Sequence, residues 1–255
     1  MKTARFPQRL PHRPHWTHRL GAILRLALGL VLLSTAGWLP VSQAAAGYGR
    51  WVDGFTLDGV NDEVKAIVAD GPNAVYVGGC FTVAGDTVAH GITKWNGSTW
   101  EALGSGLGLD DGGTWAEQGC AFALAVDSQH NLYVGGSFLS AGGVPAKFIA
   151  KWSPSCGTWS ALGSGMEDYV EEIATSDTTV YAAGQFANAG GVAGTARLAQ
   201  WNGVTWAPVR PLGTAGPNGY VIALSSGGGS LYAGGNFTSI GGVATSYVAR
   251  WDGTN

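Results

Sequence analysis

The chain has 255 residues, of which 42 are glycine and only 12% are charged, and this composition argues against a helical protein. A hydrophobic content of 45%, with 11 tryptophans, supplies a core and argues against disorder. Six of the 14 basic residues lie in the first 46 positions, where there is no Asp or Glu, so the remainder carries eight basic against 17 acidic residues. Such an acidic surface repels phosphate backbones, and we expect no nucleic-acid partner.

The first 46 residues have the order of a secretory signal peptide. A basic opening is followed by the apolar run from Leu26 to Leu39, and then by small residues up to Ala46. About 14 helical residues rise roughly 21 Å, which falls short of the ~30 Å hydrocarbon core of a bilayer. We expect cleavage after Ala44 or Ala46, a secreted or cell-surface protein, and no stable membrane span afterwards. The alternative is an uncleaved anchor, which would place Arg25 in lipid.

From about residue 60 onward, one string of residues recurs four times. Its centre is a Tyr-x-x-Gly-x-Phe pattern, and the four phenylalanines are 57, 48 and 51 residues apart: Phe81, Phe138, Phe186 and Phe237. Each is followed by a tryptophan, and the first three copies add a second tryptophan and a Leu-Gly exit. This period is typical of stacked supersecondary units. We assign the copies to residues 60–106, 121–165, 170–214 and 220–255.

Each copy predicts four short antiparallel strands. In the first copy, Val64 to Ala69 is the first strand and Ile92 to Trp95 the third, and Asn96-Gly97 predicts a two-residue type I′ turn after it. The third strand carries an aliphatic residue on one face and tryptophan on the other, so both faces need a packing partner. We therefore predict an all-β fold, a β-propeller of about four blades, each a four-stranded antiparallel sheet, within residues 47–255.

The two ends of the repeat region leave the size of the ring open. Residues 48–59 resemble the end of a copy, and the fourth copy reaches Asn255 where its last strand should begin. Residues 48–59 could complete the last blade and close a four-bladed ring, or the chain could belong to a larger ring.

Three cysteines, Cys80, Cys120 and Cys156, follow the leader, and none has the spacing of a zinc ribbon or a thioredoxin motif. Because Cys80 lies in the repeated string where other copies have Ser, Gln or Asn, we interpret it as a tolerated small residue rather than a reactive thiol. Cys120 and Cys156 are a candidate disulfide in an oxidising compartment.

The motifs Tyr-Val-Gly-Gly-x-Phe, Ala-Gly-Gly and Trp-Asn-Gly-x-x-Trp-x-x-Leu-Gly-Ser-Gly resemble the kelch-type repeats of the cortical polarity-marker propeller family and of related secreted bacterial propellers. The resemblance covers about residues 60–255. It implies a propeller fold and scaffolding or recognition at a bacterial or other cell surface, with no shared catalytic site to transfer.

In a propeller, the loops from second to third strands and the loops between blades share one face, where function usually lies. Carboxylates beside an exposed aromatic ring suit a sugar or a weak Ca²⁺ site, although they could also be solvated loop charges. We expect no other cofactor and no resident metal, because only His90 and His130 follow the leader. The candidate ligand-binding residues are Asp86, His90, Asp110, Asp111, Trp115, Glu117, Glu167 and Asp168.

The expected function is a non-enzymatic binding or scaffold module that takes a protein or a glycan at this loop face. The sequence contains neither a nucleophile elbow nor a phosphate loop. A first alternative is a carbohydrate-active enzyme, a hydrolase or lyase, which uses loop carboxylates at the central opening. A second alternative is a fragment of a larger surface protein.

Overall fold

The computed structural model describes residues 59–109, 119–209 and 215–253. By its contacts the chain divides into Met1–Trp51, which lies outside the described residues, and Val52–Asn255, to which everything below refers. The predicted signal peptide, the closing segment 48–59 apart from Gly59, and the candidate site residues Asp110, Asp111, Trp115 and Glu117 also lie outside them.

The described residues are all-β and contain no helix, which confirms the all-β part of the prediction. Residues 59–109 form β1 Val64–Ala69, β2 Val75–Gly79, β3 Val83–Ala84, β4 Thr87–Val88, β5 Ile92–Trp95, β6 Trp100–Ala102 and β7 Leu107–Gly108. Residues 119–209 form β8 Cys120–Val126, β9 Leu132–Ser137, β10 Ser140–Ala141, β11 Val144–Pro145, β12 Ile149–Ser153, β13 Thr158–Ala161, β14 Val170–Ser176, β15 Thr179–Gly184, β16 Leu198–Trp201 and β17 Trp206–Pro208. Residues 215–253 form β18 Val221–Gly227, β19 Ser230–Gly235, β20 Ser239–Ile240, β21 Val243–Ala244 and β22 Val248–Trp251.

Four antiparallel sheets follow one another along the chain, one for each sequence copy. Sheet 1 has the order β1-β2-β5-β6, sheet 2 β8-β9-β12-β13, and sheet 3 β14-β15-β16-β17. Sheet 4 has three strands in the described residues, β18-β19-β22. The first strands of successive sheets are neighbours, since β8 contacts both β1 and β14, and β14 also contacts β18.

The first strand of every sheet bends at the same place. A register shift separates Val64 from Ala66 in β1, and the same shift recurs after Ala121, Val170 and Val221. Each of these four residues pairs with the glycine two residues before the phenylalanine of its own copy, Gly79, Gly136, Gly184 or Gly235. The four positions are therefore structurally equivalent, and residues can be compared from sheet to sheet.

Apolar residues of one sheet pack into the glycine positions of the sheet before it. A Cβ atom added to Gly78 of sheet 1 would lie 2.8 Å from Cβ of Ala121 in sheet 2, with Leu124 next to it. A Cβ added to Gly135 of sheet 2 would lie 2.9 Å from Cβ of Val170 in sheet 3. Both distances are shorter than real Cβ contacts, so glycine is required for this close approach.

Tryptophans of sheets 2 and 3 bond to the end of the preceding sheet. Nε1 of Trp159 in sheet 2 donates to the carbonyl oxygen of Leu103, at the exit of sheet 1, over 2.8 Å. Nε1 of Trp206 in sheet 3 donates to the carbonyl oxygen of Leu162 over 2.9 Å. Both tryptophans are buried, so these bonds satisfy polar atoms that would otherwise be desolvated without a partner.

The predicted bounds of β1 and β5 are confirmed, whereas the predicted type I′ turn after β5 is wrong. Trp95 pairs with Trp100, so the turn has four residues. Asn96 Oδ1 accepts hydrogen bonds from the backbone of Ser98 and Thr99 at 3.0 and 2.9 Å, and only Gly97 has a positive φ, 97°. The asparagine therefore closes the turn through its side chain.

The predicted pairing of the cysteines is also wrong. Cys80 and Cys120 form the disulfide, with Cα atoms 4.5 Å apart, and Cys156 is an exposed free thiol. Cys80 directly follows β2, and Cys120 begins the first strand of the next sheet, so inter-sheet packing brings them together. Because the link is between sheets, spacing along the chain gave no indication of it.

Candidate functional site

The connections predicted to carry function do lie against one another. The amide of Gly142, in the β10–β11 turn, donates to the carbonyl of Gly106 in the segment that leaves sheet 1, over 2.7 Å. Gly190 makes the same bond to Gly165, also at 2.7 Å. We call the turns between second and third strands, together with the segments that connect successive sheets, the loop face.

Two of the predicted site residues, Glu167 and Asp168, are held by hydrogen bonds within this framework. Both carboxylate oxygens of Glu167 accept from Nδ2 of Asn188 at 3.1 Å. Oδ1 of Asp168 accepts from the amide of Tyr169 at 2.8 Å. At the position equivalent to Glu167, Oδ1 of Asn61 accepts from the backbone amide of Thr82 at 2.9 Å. Glu167 therefore has a positioning role that other copies assign to asparagine.

The predicted residues of sheet 1 lie in a separate part of the loop face. Asp86 is exposed in the β3–β4 turn, and the carbonyl of His90 accepts the amide of Leu107 at 2.8 Å. Among the described residues, no hydrogen bond or ion pair joins Asp86 or His90 to Glu167 or Asp168. The eight predicted residues thus do not form one cluster within the part that is described.

The segment that carries Asp110, Asp111, Trp115 and Glu117 is fixed at both of its ends. On the near side, Gly108 of β7 pairs with Ser140 of β10. On the far side, Cys120 is bonded to Cys80 of the preceding sheet. The described residues on either side of the acidic segment are thus held by the β7–β10 pairing and by the disulfide.

An aromatic row, which the sequence analysis missed, crosses the loop face from sheet 2 to sheet 4. Phe148 of sheet 2 contacts Tyr169 of sheet 3 edge to face, with ring centroids 5.6 Å apart. Arg197 of sheet 3 lies over the ring of Tyr220 of sheet 4, 5.6 Å from its centroid. We define the aromatic row as these four residues together with Tyr247. Three of its tyrosines remain open to solvent, with exposed fractions of 42% for Tyr169, 44% for Tyr220 and 60% for Tyr247.

Backbone strain accompanies this row. Phe148, Arg197 and Tyr247 have φ values of 63°, 62° and 67°, a left-handed conformation that bulky residues rarely adopt. Their equivalent in sheet 1 is Gly91, with φ of 70°. A glycine would relieve the strain at these positions, and strain of this kind is concentrated at functional sites. In the sequence, the Tyr-Val pairs at the start of sheets 3 and 4, Tyr169-Val170 and Tyr220-Val221, could have indicated this aromatic row.

Polar groups lie beside the aromatic row. Oε1 of Glu171 accepts from Nε2 of Gln185 at 2.7 Å, and Asp168 precedes Tyr169 directly. The pKa of the half-buried Glu172 is raised, first by desolvation and then by repulsion from Glu171. Rings flanked by carboxylates, an amide and a guanidinium combine a stacking surface with hydrogen-bonding groups.

A cavity lies beside sheet 4 rather than on the loop face. It has a volume of about 370 Å³ and is lined by apolar residues that include Leu231, Val248 and Trp251. In sheets 2 and 3 the corresponding glycines, Gly142 and Gly190, contact a fourth-strand tryptophan, whereas a Cβ at Gly241 would meet nothing within 4 Å. The cavity is therefore the place that this tryptophan fills in the other sheets.

No group of three or more His, Cys, Asp or Glu side chains in the described ranges is arranged to hold a metal ion. Three of the carboxylates predicted to suit a weak Ca²⁺ site, Asp110, Asp111 and Glu117, lie outside those ranges. Within residues 59–109, 119–209 and 215–253, no helix is long and apolar enough to cross a membrane.

No protein-family model matches this chain, and no curated protein matches it either. Among solved structures, the computationally designed protein Ika8 is 17% identical with a TM-score of 0.45, over 70% of this chain and 44% of that one. The extracellular domain of a protein described as a one-component system of B. thetaiotaomicron is 12% identical with a TM-score of 0.45, over 74% of this chain and 21% of that one. The chain thus spans less than half the length of either structure, and likenesses this slight assign no function.

Proposed function

We propose that this protein is a secreted or cell-surface binding module, without catalytic activity, that takes a glycan through the aromatic row. The observation that carries the proposal is the row itself: its three tyrosines are exposed to solvent, and three of its residues, Phe148, Arg197 and Tyr247, have left-handed backbone conformations. Exposed rings stack on the apolar faces of sugars, and adjacent carboxylates and amides can bond to hydroxyl groups.

The architecture we propose around this surface is a β-propeller, with the four sheets as successive blades. The neighbouring first strands, the glycine contacts between sheets and the tryptophan bonds that recur at two joints support this arrangement. Such a scaffold is stiff, so a surface built on it loses little conformational entropy when it binds a ligand.

Export of the protein has two lines of support. The leader has the order of a signal peptide, and the Cys80–Cys120 disulfide forms readily only in an oxidising compartment. We place the protein outside the cytoplasm on these grounds, with the loop face available to an extracellular glycan.

Binding to a glycan array and to insoluble chitin, cellulose and peptidoglycan tests the proposed function. We expect retention on at least one of these glycans, and a loss of about tenfold or more in affinity for Tyr220→Ala, since stacking contributes 1 kcal/mol or more per ring. Tyr232→Ala is the matched control, because Tyr232 is also 44% exposed but lies outside the aromatic row.

Two results would overturn the proposal. Equal loss of binding in Tyr220→Ala and Tyr232→Ala would remove the aromatic row as the site. Release of soluble sugars from any of these polysaccharides by the wild-type protein would favour the carbohydrate-active enzyme instead.

A further inference from the structure

We propose that a polar cavity at the end of sheet 1 opposite the loop face binds a free α-amino acid, with its ammonium group at Asp70 and its carboxylate at Tyr76 and Lys94. The cavity has a volume of about 260 Å³, and the turns β1–β2 and β5–β6 form it. This is just below the roughly 300–1,000 Å³ of pockets for drug-sized ligands, so it admits only a small molecule. The proposal is independent of the proposed glycan site. The lining residues are Asp70, Pro72, Asn73, Ala74, Lys94 and Asn96.

Sheet 2 provides a template for this cavity, because its residues there are equivalent to those of sheet 1. Asp70 directly follows β1, and Asp127 directly follows β8. Tyr76 and Tyr133 are each the second residue of the next strand. The same backbone bond closes both turns, from the amide of the aspartate to the carbonyl four residues later, over 2.8 Å in sheet 1 and 3.0 Å in sheet 2. The contacts in sheet 2 therefore show which groups bond at these positions.

In sheet 2 an asparagine side chain occupies the space of the cavity. Nδ2 of Asn131 donates to Oδ2 of Asp127 over 2.9 Å, and the hydroxyl of Tyr133 donates to the same oxygen over 3.1 Å. Asn131 is 8% exposed, so its amide fills buried space. Sheet 1 has Ala74 at this position, and Ala74 lines the cavity. The shorter side chain leaves that space open and removes an N–H donor from the aspartate.

Sheet 1 also has a hydroxyl donor without a protein acceptor at this cavity. Tyr76 is 0% exposed, and its hydroxyl has no hydrogen-bond partner within the described residues. Nζ of Lys94 lies 5.8 Å from the centroid of its ring. Burial, followed by the carboxylates of Asp70 and Glu101, raises the pKa of Tyr76 to about 12, so the hydroxyl keeps its proton at neutral pH. An acceptor atom of a ligand would satisfy this otherwise costly buried group.

The two charged residues of the lining define the two ends of the ligand. Oδ1 of Asp70 bonds to Nδ1 of His130 at 2.5 Å, so Oδ2 is the oxygen available to an ammonium group, as it is to the asparagine amide in sheet 2. Lys94 is held loosely by Glu101, with Nζ 3.7 Å from Oε2, and can donate to a carboxylate together with Tyr76. A free α-amino acid carries both charged groups on one carbon atom, and charge-assisted bonds then form at each end.

Thermal unfolding of the full chain with each standard L-amino acid in turn, followed by calorimetric titration, tests the proposal. We expect at least one amino acid to raise the melting temperature in a concentration-dependent way. The same amino acid with its carboxylate amidated, or with its amino group acetylated, should bind at least tenfold more weakly, because each analogue lacks one of the two charges.

Two variants that fit the fold locate the site. Ala74→Asn puts the side chain of sheet 2 into the cavity, and it should abolish binding without lowering the melting temperature of the protein alone. Tyr76→Phe removes the unpartnered hydroxyl, and it should weaken binding about tenfold or more, also without loss of stability. Tyr133→Phe is the matched control. It removes a hydroxyl that bonds to Asp127, so it should lower the melting temperature and leave the affinity for the amino acid unchanged.

Three results would overturn the proposal. The first is that no amino acid binds the wild-type protein. The second is that the amidated and acetylated analogues bind as tightly as the amino acid, which would remove the paired charges as the basis of recognition. The third is an unchanged affinity in Ala74→Asn and Tyr76→Phe, which would place the binding outside this cavity.

Discussion

Removal of the Cys80–Cys120 disulfide should destabilise the protein. The bond joins residues 40 positions apart and ties sheet 1 to sheet 2. In the chain-entropy model, closing a loop of that length in the unfolded state contributes about 4 kcal/mol at 25 °C. We therefore expect Cys80→Ser with Cys120→Ser to lower the free energy of unfolding by about 3 to 4 kcal/mol.

Urea unfolding of the double variant beside the wild type and Cys156→Ser measures this change. Cys156 is exposed and unbonded, so its substitution should alter the free energy of unfolding by less than about 0.5 kcal/mol. Thiol titration in denaturant without reductant identifies the pairing: Cys156→Ser should have no free thiol. Two free thiols in that variant would mean that Cys156 belongs to the disulfide, and a loss below about 1 kcal/mol in the double variant would refute the calculation of loop entropy.

Three further predictions follow from single side chains. Trp159→Phe should cost about 1 to 3 kcal/mol in urea unfolding, because it leaves a buried carbonyl of the preceding sheet unbonded, whereas Trp152→Phe in the same ring pair should cost less; equal losses would contradict this. The pKa of Glu172 is raised in the folded protein. Its contribution to stability is therefore greatest below the pKa of the unfolded state and falls as the pH rises through the pKa of the folded state. Glu172→Gln should raise the melting temperature at pH 7 and leave it unchanged at pH 4, and no gain at pH 7 would refute burial of the charge. His130 bonds Asp70 across sheets 1 and 2, which raises its pKa; the stabilisation is complete below pH 6.5 and is lost as pH rises through the folded pKa, and His130→Gln should flatten the melting temperature between pH 5.5 and 8.5.

The regular parts of the fold could be predicted from the sequence because they repeat. The alternation in Ile92 to Trp95 placed β5 correctly, and the four phenylalanines, all fully buried, marked the core. The short β-hairpins inside three of the four second-to-third connections were missed; the connection of sheet 3 has only a single bridge, between Ala189 and Val192. The hairpins depend on positive φ values at glycines such as Gly142 and Gly143, 58° and 80°, where the residues show no strand pattern.

The candidate site was harder to predict, because its residues come from different copies. Phe148 and Tyr169 are 21 positions apart and meet only through the packing of sheet 2 on sheet 3. The Cys80–Cys120 disulfide was missed for the same reason, and Cys120 was paired with Cys156 instead. The carboxylates of Glu167 and Asp168 looked available in the sequence. In the structure, Glu167 accepts from Asn188 of the β15–β16 connection, and Asp168 accepts from the amide of the next residue, Tyr169. Sequence reasoning pointed to the loop face but not to the tyrosines that are exposed on it.

The tryptophan bonds described between the sheets bear on how such a gene can grow and shrink. Two of the joints take the donor from one copy and the acceptor from the copy before, namely Trp159 with Leu103 and Trp206 with Leu162. Duplication or deletion of one whole copy therefore leaves each remaining tryptophan donor beside a carbonyl acceptor. A breakpoint that separates a tryptophan from the carbonyl it bonds would leave that buried carbonyl without a hydrogen-bond donor. Chains with different numbers of copies can descend from one another without an unstable intermediate, since in such arrays each unit depends on its nearest neighbours alone.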